Sequence, residues 1–221
     1  MAVAAIAVGI GTARADPILD FTIPSLNPGA SIVGDATGLY GTALTITEVA
    51  GINTATNNLQ IIKIFGGQLN FTTGPLLSSD ATTANYDGGN SLVITGVADL
   101  NNNNVNDDGP SAVLLAGTFT GAQVVKIGAT DFRVAIAAFI NSVDPGLANH
   151  YGESTGSPLS WTGVMNDQFQ APGTVSNFAS TLVASGDLTT THKIPEPAGA
   201  ALVCVGLIGL GVTCRHRRRS F

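Results

Sequence analysis

Residues 16–194 of this sequence contain no cysteine. The chain has 2 cysteines, Cys204 and Cys214, and both lie near its end. Disulfide bonds therefore cannot stabilise the central region, even in an oxidising compartment. Its stability has to come from a packed hydrophobic core or from a bound metal, and the region is long enough to bury such a core.

Basic residues are scarce in the same region. Residues 16–194 hold four basic residues against 14 acidic ones, a formal net charge of −10, whereas the whole chain carries −6. Because nucleic-acid binding depends on basic patches, this composition argues against a nucleic-acid partner. An acidic domain suits a solvated extracellular protein or a protein that binds cations.

Histidines and enzyme motifs are also few. Outside the last residues the only histidines are His150 and His192, and the chain contains neither H-E-x-x-H nor a phosphate-binding P-loop. His150, Tyr151 and Glu153 cluster with a serine, which fits either a hydrolytic site or, more simply, a solvated loop. We predict no catalytic residue and a non-enzymatic protein.

Helix-period patterns are scarce before residue 195, and short strand-like runs bounded by Gly, Asn, Asp and Pro recur instead. These runs predict a mainly β fold, a β-sandwich of the jelly-roll kind. A β-helix is the alternative, although no repeat of fixed length is present. The predicted strands are Thr42–Val49, Leu59–Phe65, Gln68–Thr73, Ser91–Val97, Ala112–Phe119, Gln123–Ile127, Phe132–Phe139, Leu159–Val164 and Thr181–Leu188.

Two glycine-containing pairs separate neighbouring runs. Gly66-Gly67 and Gly121-Ala122 each predict a tight hairpin turn. The run from Phe132 to Ile140 is ambiguous, since its alanines allow a short helix, but its alternation favours a strand.

A loop rich in Asp and Asn follows the run that ends at Val97. Counted from Asp99, oxygen-bearing side chains fall at positions 1, 3, 5 and 9, and a backbone carbonyl falls at position 7. This spacing resembles a degenerate DxNxN-type calcium loop, with Asn104 at the sharp turn and Pro110 where a full loop has Glu. The alternative is a polar, Asn-rich turn. The predicted calcium ligands are Asp99, Asn101, Asn103, Val105 and Asp107.

Trp161 is the single tryptophan of the chain. An exposed Trp161 and the nearby Tyr151 would stack on a sugar ring, which would make the domain a carbohydrate-binding module. A core position for Trp161 is the alternative.

The first 15 residues resemble a secretory signal peptide. An apolar stretch to Ile10 precedes Ala13-Arg14-Ala15, an A-x-A cleavage pattern, and Asp16-Pro17 would begin the mature chain. A basic segment is missing before the apolar stretch, which suggests that the natural start lies upstream. An ordinary buried N-terminal segment is the alternative.

The last 27 residues have three parts. Pro195-Glu196-Pro197 forms an extended segment, because two prolines exclude helix and strand. The 17 residues 198–214 follow without a charge. As a helix they would be about 25 Å long, at the lower edge of the length that spans a membrane. The basic end comprises Arg215, Arg217, Arg218 and Arg219, which the positive-inside rule keeps in the cytoplasm.

This tail resembles the PEP-CTERM sorting signal of Gram-negative bacteria. Pro195, Glu196 and Pro197 match its triplet, residues 198–214 its transmembrane helix, and residues 215–221 its basic end. The resemblance implies processing near the triplet by an exosortase, a membrane cysteine protease or transpeptidase. A permanent membrane anchor is the rival interpretation.

Together these observations predict an exported surface or exopolysaccharide-matrix protein. The Sec machinery would export it through a signal peptide at 1–15, the inner membrane would hold it transiently, and the exosortase would then release it. Residues 16–188 would form the β-rich domain and 189–194 a spacer before the sorting signal at 195–221. A carbohydrate-binding module or a secreted hydrolase delivered by the same route are the alternatives.

Overall fold

Long antiparallel strands make up most of the computed structural model, which describes residues 15–153 and 161–192, with the backbone alone at 139–141. A single short helix, α1, interrupts the described strands. The elements are β1 (Ile18–Ile23), β2 (Ser31–Gly34), β3 (Leu39–Ile52), β4 (Ile61–Thr72), β5 (Leu76–Ser79), β6 (Thr83–Ala98), β7 (Ala112–Lys126), β8 (Asp131–Val143), α1 (Pro145–His150), β9 (Trp161–Gln170), β10 (Gly173–Thr174), β11 (Asn177–Ala179) and β12 (Leu182–His192).

Alternating burial shows which face of each strand points inward. In β9, every second residue from Trp161 to Phe169 is buried, and the residues between them are exposed or half-buried. β1 shows the same period, with Leu19, Phe21 and Ile23 buried. A period of two is the expected pattern for a sheet that covers a core on one face only.

Eight of the strands close into an antiparallel barrel. Their order is β1-β12-β9-β8-β7-β6-β4-β3, and β1 pairs with β12 on one side and with β3 on the other. When only these eight strands are counted, every pair of neighbours except the closing pair β1 and β12 is consecutive in the chain, which makes this an up-and-down arrangement. A barrel of this size is just wide enough for its interior to be filled by side chains. The core contains residues from all eight strands, among them Leu19, Leu44, Leu69, Ile94, Val124, Val134, Met165 and Leu188.

The mainly β fold is confirmed, but the predicted β-sandwich is not. A sandwich has two sheets with separate edges, whereas β1 joins the last strand of this sheet to β3. Inward and outward residues alternate in the same way in both architectures, so the pattern of the sequence does not distinguish them. The alternative β-helix also fails, because the pairings of the described strands are all antiparallel.

Four short strands lie outside the ring, and one of them, β5, pairs with β6. β2 pairs with the first part of β3, and β11 and β10 extend from β2. The ring of Phe178, in β11, stacks on Phe132 and on Phe169, with centroids 5.4 and 5.1 Å away. All three rings are buried. β11 therefore packs aromatic surface against the inner face of β8 and β9.

Both predicted hairpin turns are wrong. β4 continues through Gly66-Gly67, and β7 continues through Gly121-Ala122. The pairing register shifts at each place, between Phe65 and Gln68 and between Phe119 and Gly121. These are β-bulges, which increase the local twist that a long strand needs to bend around a barrel. Gly66 has a φ of 60°, and a β-carbon on Gly67 would collide with the carbonyl oxygen of Ile46.

The other predicted strands lie largely within observed ones, and the ambiguous run from Phe132 is part of β8. The strands β1, β2, β5, β10 and β11 and the helix α1 were not predicted. β12 extends to His192, so residues 189–192 belong to the barrel and not to a spacer.

The predicted sorting signal (195–221) and the signal-cleavage residue Ala13 lie outside the described residues. Within the described part of the chain, no helix is long and apolar enough to cross a membrane. The predicted helix at 198–214 is not part of that search.

Candidate functional site at one end of the barrel

Several of the segments that the sequence singled out meet at one end of the barrel. Because neighbouring strands run in opposite directions, the loops after β3, β6 and β8 share an end with the start of β1 and the finish of β12. We call this end the terminal pole. It comprises residues 53–60, 99–111 and 144–153, together with Pro17 and His192.

Backbone hydrogen bonds connect these segments. The N–H of His192 donates to the carbonyl of Pro17 over 2.9 Å, and the N–H of Thr56 donates to the carbonyl of Tyr151 over 3.1 Å. The loop at 99–111 is joined to the barrel by the N–H of Asp99, which donates to Lys63 over 2.9 Å. The terminal pole therefore holds both ends of the barrel domain beside the candidate loops.

The loop at 99–111 wraps around the carboxylate of Asp99, which is fully buried. Oδ1 accepts from the N–H of Asn103 over 3.1 Å, and Oδ2 accepts from the N–H of Asn104 over 2.8 Å. Asn104 has a φ of 63°, which confirms the predicted left-handed turn at this position. Asp99 thus organises the loop in addition to being a predicted calcium ligand.

The structure also brings the other predicted ligand side chains together. The amide nitrogen of Asn101 lies 3.2 Å from Oδ1 of Asp107, and that of Asn103 lies 3.1 Å from Oδ2. Oδ1 of Asn103 accepts from the N–H of Val105 over 2.7 Å. The carbonyl of Val105 accepts from the N–H of Asp107 over 3.0 Å.

The chemical types of the ligands in this loop suit calcium. Calcium prefers hard oxygen ligands from carboxylates, amides and carbonyls, and this loop offers all three. The oxygens of Asn101 and Asn103 already accept from the N–H groups of Asn103 and Val105, over 3.0 and 2.7 Å, so turning these amides towards an ion beside Asp107 would break both hydrogen bonds. Two carboxylates are fewer than many metal sites have, and no group of three or more His, Cys, Asp or Glu within the described residues could hold a metal.

Helix α1 closes part of the terminal pole. Oδ1 of Asp144 caps the helix by accepting from the N–H of Leu147 over 2.8 Å. Leu147 and Ala148 are buried against the core. The hydroxyl of Tyr151 lies 3.0 Å from the carbonyl oxygens of both Val49 and Gln60, to which it donates. Burial raises the pKa of this hydroxyl, which keeps it protonated and available as a donor.

The cluster of His150, Tyr151 and Glu153 does not form an acid–base group. The ring of His150 packs edge-on against Tyr151, and its Nε2 lies 3.3 Å from the amide of Asn57. Burial lowers the pKa of His150, which favours the neutral form of its ring. The carboxylate of Glu153 is directed away from His150, since its Oε1 accepts from the N–H of Ala55 over 3.1 Å.

Residues 152–156 also match the pattern G-x-S-x-G, which the sequence analysis overlooked. A nucleophile elbow places its serine on a sharp turn between a strand and a following helix. Here Gly152 and Glu153 follow a helix, and the next strand begins at Trp161, while Ser154 lies outside the described residues. The described part of this segment therefore does not have the context of an elbow.

Trp161 is a core residue, which is the alternative to a role in sugar binding. Its side chain is 4% exposed, and its ring stacks on that of His192 with centroids 4.7 Å apart and planes at 11°. Nδ1 of His192 in turn lies 3.7 Å from Oε2 of Glu153. Neither Trp161 nor Tyr151 is available to stack on a sugar in this arrangement.

A buried carboxyl group in the wall of the barrel was not predicted. Asp167 is 1% exposed, and within the described residues neither of its oxygens has a hydrogen-bond partner. Burial is the main reason why the pKa of Asp167 is raised to about 8, and the nearby Asp187 carboxylate acts in the same direction. Asp167 occupies an inward position of the alternating run that begins at Trp161, and that pattern could have revealed it.

Two shallow grooves lie on the outer face of the sheet. One, of about 380 Å³, is polar, and Arg133, Gln168 and Asp187 lie on it. The other, of about 530 Å³, is mainly apolar and crosses Gly121, Ala137 and Val164. Neither groove contains an exposed aromatic ring that would stack on a sugar.

Comparison with known proteins gives no further identification, because no family model, no curated protein and no solved structure matches this chain.

Proposed function

We propose that this chain is an exported, non-enzymatic protein of the cell surface or exopolysaccharide matrix, released by an exosortase near Pro195-Glu196-Pro197. The observation that carries the proposal is the three-part tail of the sequence, in which an extended triplet precedes an apolar run and a basic end. The domain before the tail agrees with this route, since it is acidic, lacks cysteine and presents no catalytic cluster among its described residues.

The barrel would remain complete after the tail is cleaved, which suits a domain that is released by processing. His192, the last described residue of its last strand, lies three positions before Pro195 in the sequence. Cleavage near the triplet would leave the ring of strands complete, because no described residue of the barrel lies beyond His192. The product would be a closed barrel without its tail, free of the inner membrane.

Calcium bound by the loop at 99–111 is a second element of the proposal. The specific observation in its favour is that Asp99, Asn101, Asn103 and Asp107 lie together at the terminal pole. Calcium would supply the stability that disulfides cannot supply to a domain without cysteine.

The two alternative functions, a carbohydrate-binding module and a hydrolase, each have a separate test. A carbohydrate-binding module would have to use the polar groove at Arg133 and Gln168, since Trp161 is buried. Loss of exopolysaccharide binding in Arg133→Ala would favour it. Turnover of an ester or polysaccharide that disappears in Ser154→Ala would favour a hydrolase.

The sorting proposal is tested by expressing the full chain in a host with an exosortase and in the same host without it. Released, shortened protein is expected only with the enzyme, and the uncleaved form should accumulate in membranes without it. Glu196→Gln should block release, whereas Glu48→Gln, the same chemical change within β3, should not. Equal release from both hosts would refute the proposal.

A further inference from the structure

We propose that Glu153, Trp161 and His192 form a clasp that fixes the end of β12 and thereby limits access of the processing enzyme to the segment after it. The clasp rests on the proposed function for its biological role. Its physical basis is a set of contacts that all converge on His192, the last described residue before the triplet.

The end of β12 is held by its backbone on both sides. His192 pairs with Trp161 of β9, and its N–H donates to the carbonyl of Pro17 at the entry to β1 over 2.9 Å. His192, the last described residue of β12, lies between these two neighbours, so detaching it from the sheet requires breaking contacts with both.

The side chain of His192 adds to this restraint. Its ring lies flat on the indole of Trp161, at 4.7 Å and 11°, and the side chain of His192 is only 11% exposed. Nδ1 faces Oε2 of Glu153 at 3.7 Å. Since Glu153 also accepts from the N–H of Ala55, it connects His192 to the loop between β3 and β4.

The position of the clasp gives it a consequence for processing. A protease binds its substrate as an extended chain, and a residue paired in a sheet cannot enter an active site. His192, the last described residue of β12, lies three positions before Pro195 in the sequence. When the clasp opens, the residues around Thr191 also become available, and the enzyme can approach the triplet from farther away.

The clasp would act at the same pole that receives the start of the mature domain. Pro17 follows the predicted signal-cleavage residue Ala15, and its carbonyl is bonded to His192. The clasp therefore joins the two points at which the domain would be trimmed. Opening it is expected to loosen both ends of the domain, while the opposite end of the barrel stays packed around Phe178.

Trypsin offers a test that does not depend on an exosortase. The full chain in detergent is treated with trypsin, and cleavage after Lys193 is followed by mass spectrometry. His192→Ala should increase the initial rate roughly three- to tenfold, the change expected from losing one buried aromatic stack. His192→Phe keeps a ring on Trp161 but loses the contact with Glu153, so its rate should lie between those of His192→Ala and the natural chain.

Phe178→Leu serves as the control for a general loss of stability. It weakens the aromatic packing of β11 without touching His192, and it should leave the cleavage after Lys193 close to that of the natural chain. An unchanged rate in His192→Ala would overturn the clasp. An equal acceleration in Phe178→Leu, or in His192→Phe, would overturn it as well.

The same variants are then followed in cells that contain an exosortase, with loss of the tail measured after a pulse of labelling. His192→Ala should lose its tail faster than the natural chain. If the natural chain is processed and His192→Ala is processed no faster, the clasp does not control processing. If no variant is processed although trypsin distinguishes them, the proposed sorting function fails, and the proposed control of processing fails with it.

Discussion

The carboxyl group of Asp167 lies over Gly186, its partner on β12. A β-carbon built on Gly186 would lie 3.0 Å from Cγ of Asp167 and 2.5 Å from the carbonyl oxygen of Asn166. Glycine at 186 therefore leaves the space that the buried carboxyl group occupies. The apolar wall of the barrel accommodates the carboxyl group of Asp167 because Gly186, its neighbour, has no side chain.

Gly186→Ala should destabilise the barrel. The new methyl group has no space beside Asp167 and Asn166, and overpacking of this kind costs about 1–3 kcal/mol. Thermal unfolding should show a lower melting temperature. Gly121→Ala is the matched control, because its β-carbon would come no closer than 3.7 Å to a neighbouring atom. A similar fall in both variants would contradict the steric explanation.

Asp167→Asn should stabilise the protein at neutral and alkaline pH. In the folded state burial raises the pKa of Asp167 to about 8, well above its ordinary value of 3.8, so the native state holds a proton that the unfolded chain releases. Stability should therefore fall as pH rises between these two values, by up to about 1.4 kcal/mol per pH unit. Asparagine is neutral throughout and should remove that slope.

Chemical denaturation at pH 5, 7 and 9 measures this effect. The advantage of Asp167→Asn over the natural chain should grow from pH 5 to pH 7, grow further up to about pH 8, and change little above that. Asp87→Asn makes the same change at an exposed carboxylate and should leave the pH profile as it is. Parallel profiles for the natural chain and Asp167→Asn would show that the buried carboxyl group is already ionised.

Much of the strand content could be predicted from the sequence, because alternation reports which residues face a core. Closure could not be predicted, since it depends on β1, whose six residues lie far in sequence from their partners in β12. The bulges at Gly66 and Gly121 were mistaken for turns for a related reason. A glycine pair between apolar runs fits a hairpin and a bulge equally well until the partner strand is known.

The candidate loop was easier to predict than the burial of Trp161. Ligand spacing along one loop is a local property, and the residues from Asp99 to Asp107 come together through contacts within nine consecutive residues. The environment of Trp161 depends on His192, which lies on a different strand and follows it by many residues. Long-range contacts of this kind leave little trace in a single sequence.

Calcium at millimolar concentration should raise the melting temperature of the natural chain. An ion that binds only the folded loop stabilises it in proportion to the logarithm of its concentration. Asp107→Asn should abolish the shift while preserving the loop, because an amide at this position can still accept hydrogen bonds from Asn101 and Asn103. Asp99→Ala is a poor test, since Asp99 also accepts from two backbone N–H groups and its loss destabilises the loop without any metal.

Magnesium and a chelator complete the calcium experiment. Magnesium at the same concentration should have a smaller effect, because it demands a stricter geometry and shorter bonds than this loop of amides offers. Chelation should return the melting temperature to its starting value. A shift of equal size in Asp107→Asn would place the calcium elsewhere, and no shift in the natural chain would leave the loop as a polar turn.

Phe178→Ala should be more damaging than any of these changes. Its ring is stacked on Phe132 and Phe169 and is 4% exposed, so truncation leaves a cavity between β11 and the inner face of the barrel. Such a truncation costs about 3–5 kcal/mol, and Phe178→Leu should lose less because leucine refills part of the volume. Denaturant titration of both variants measures the difference. If Phe178→Ala unfolded like the natural chain, β11 would contribute nothing to the stability of the barrel, and the strands of the ring would be sufficient on their own.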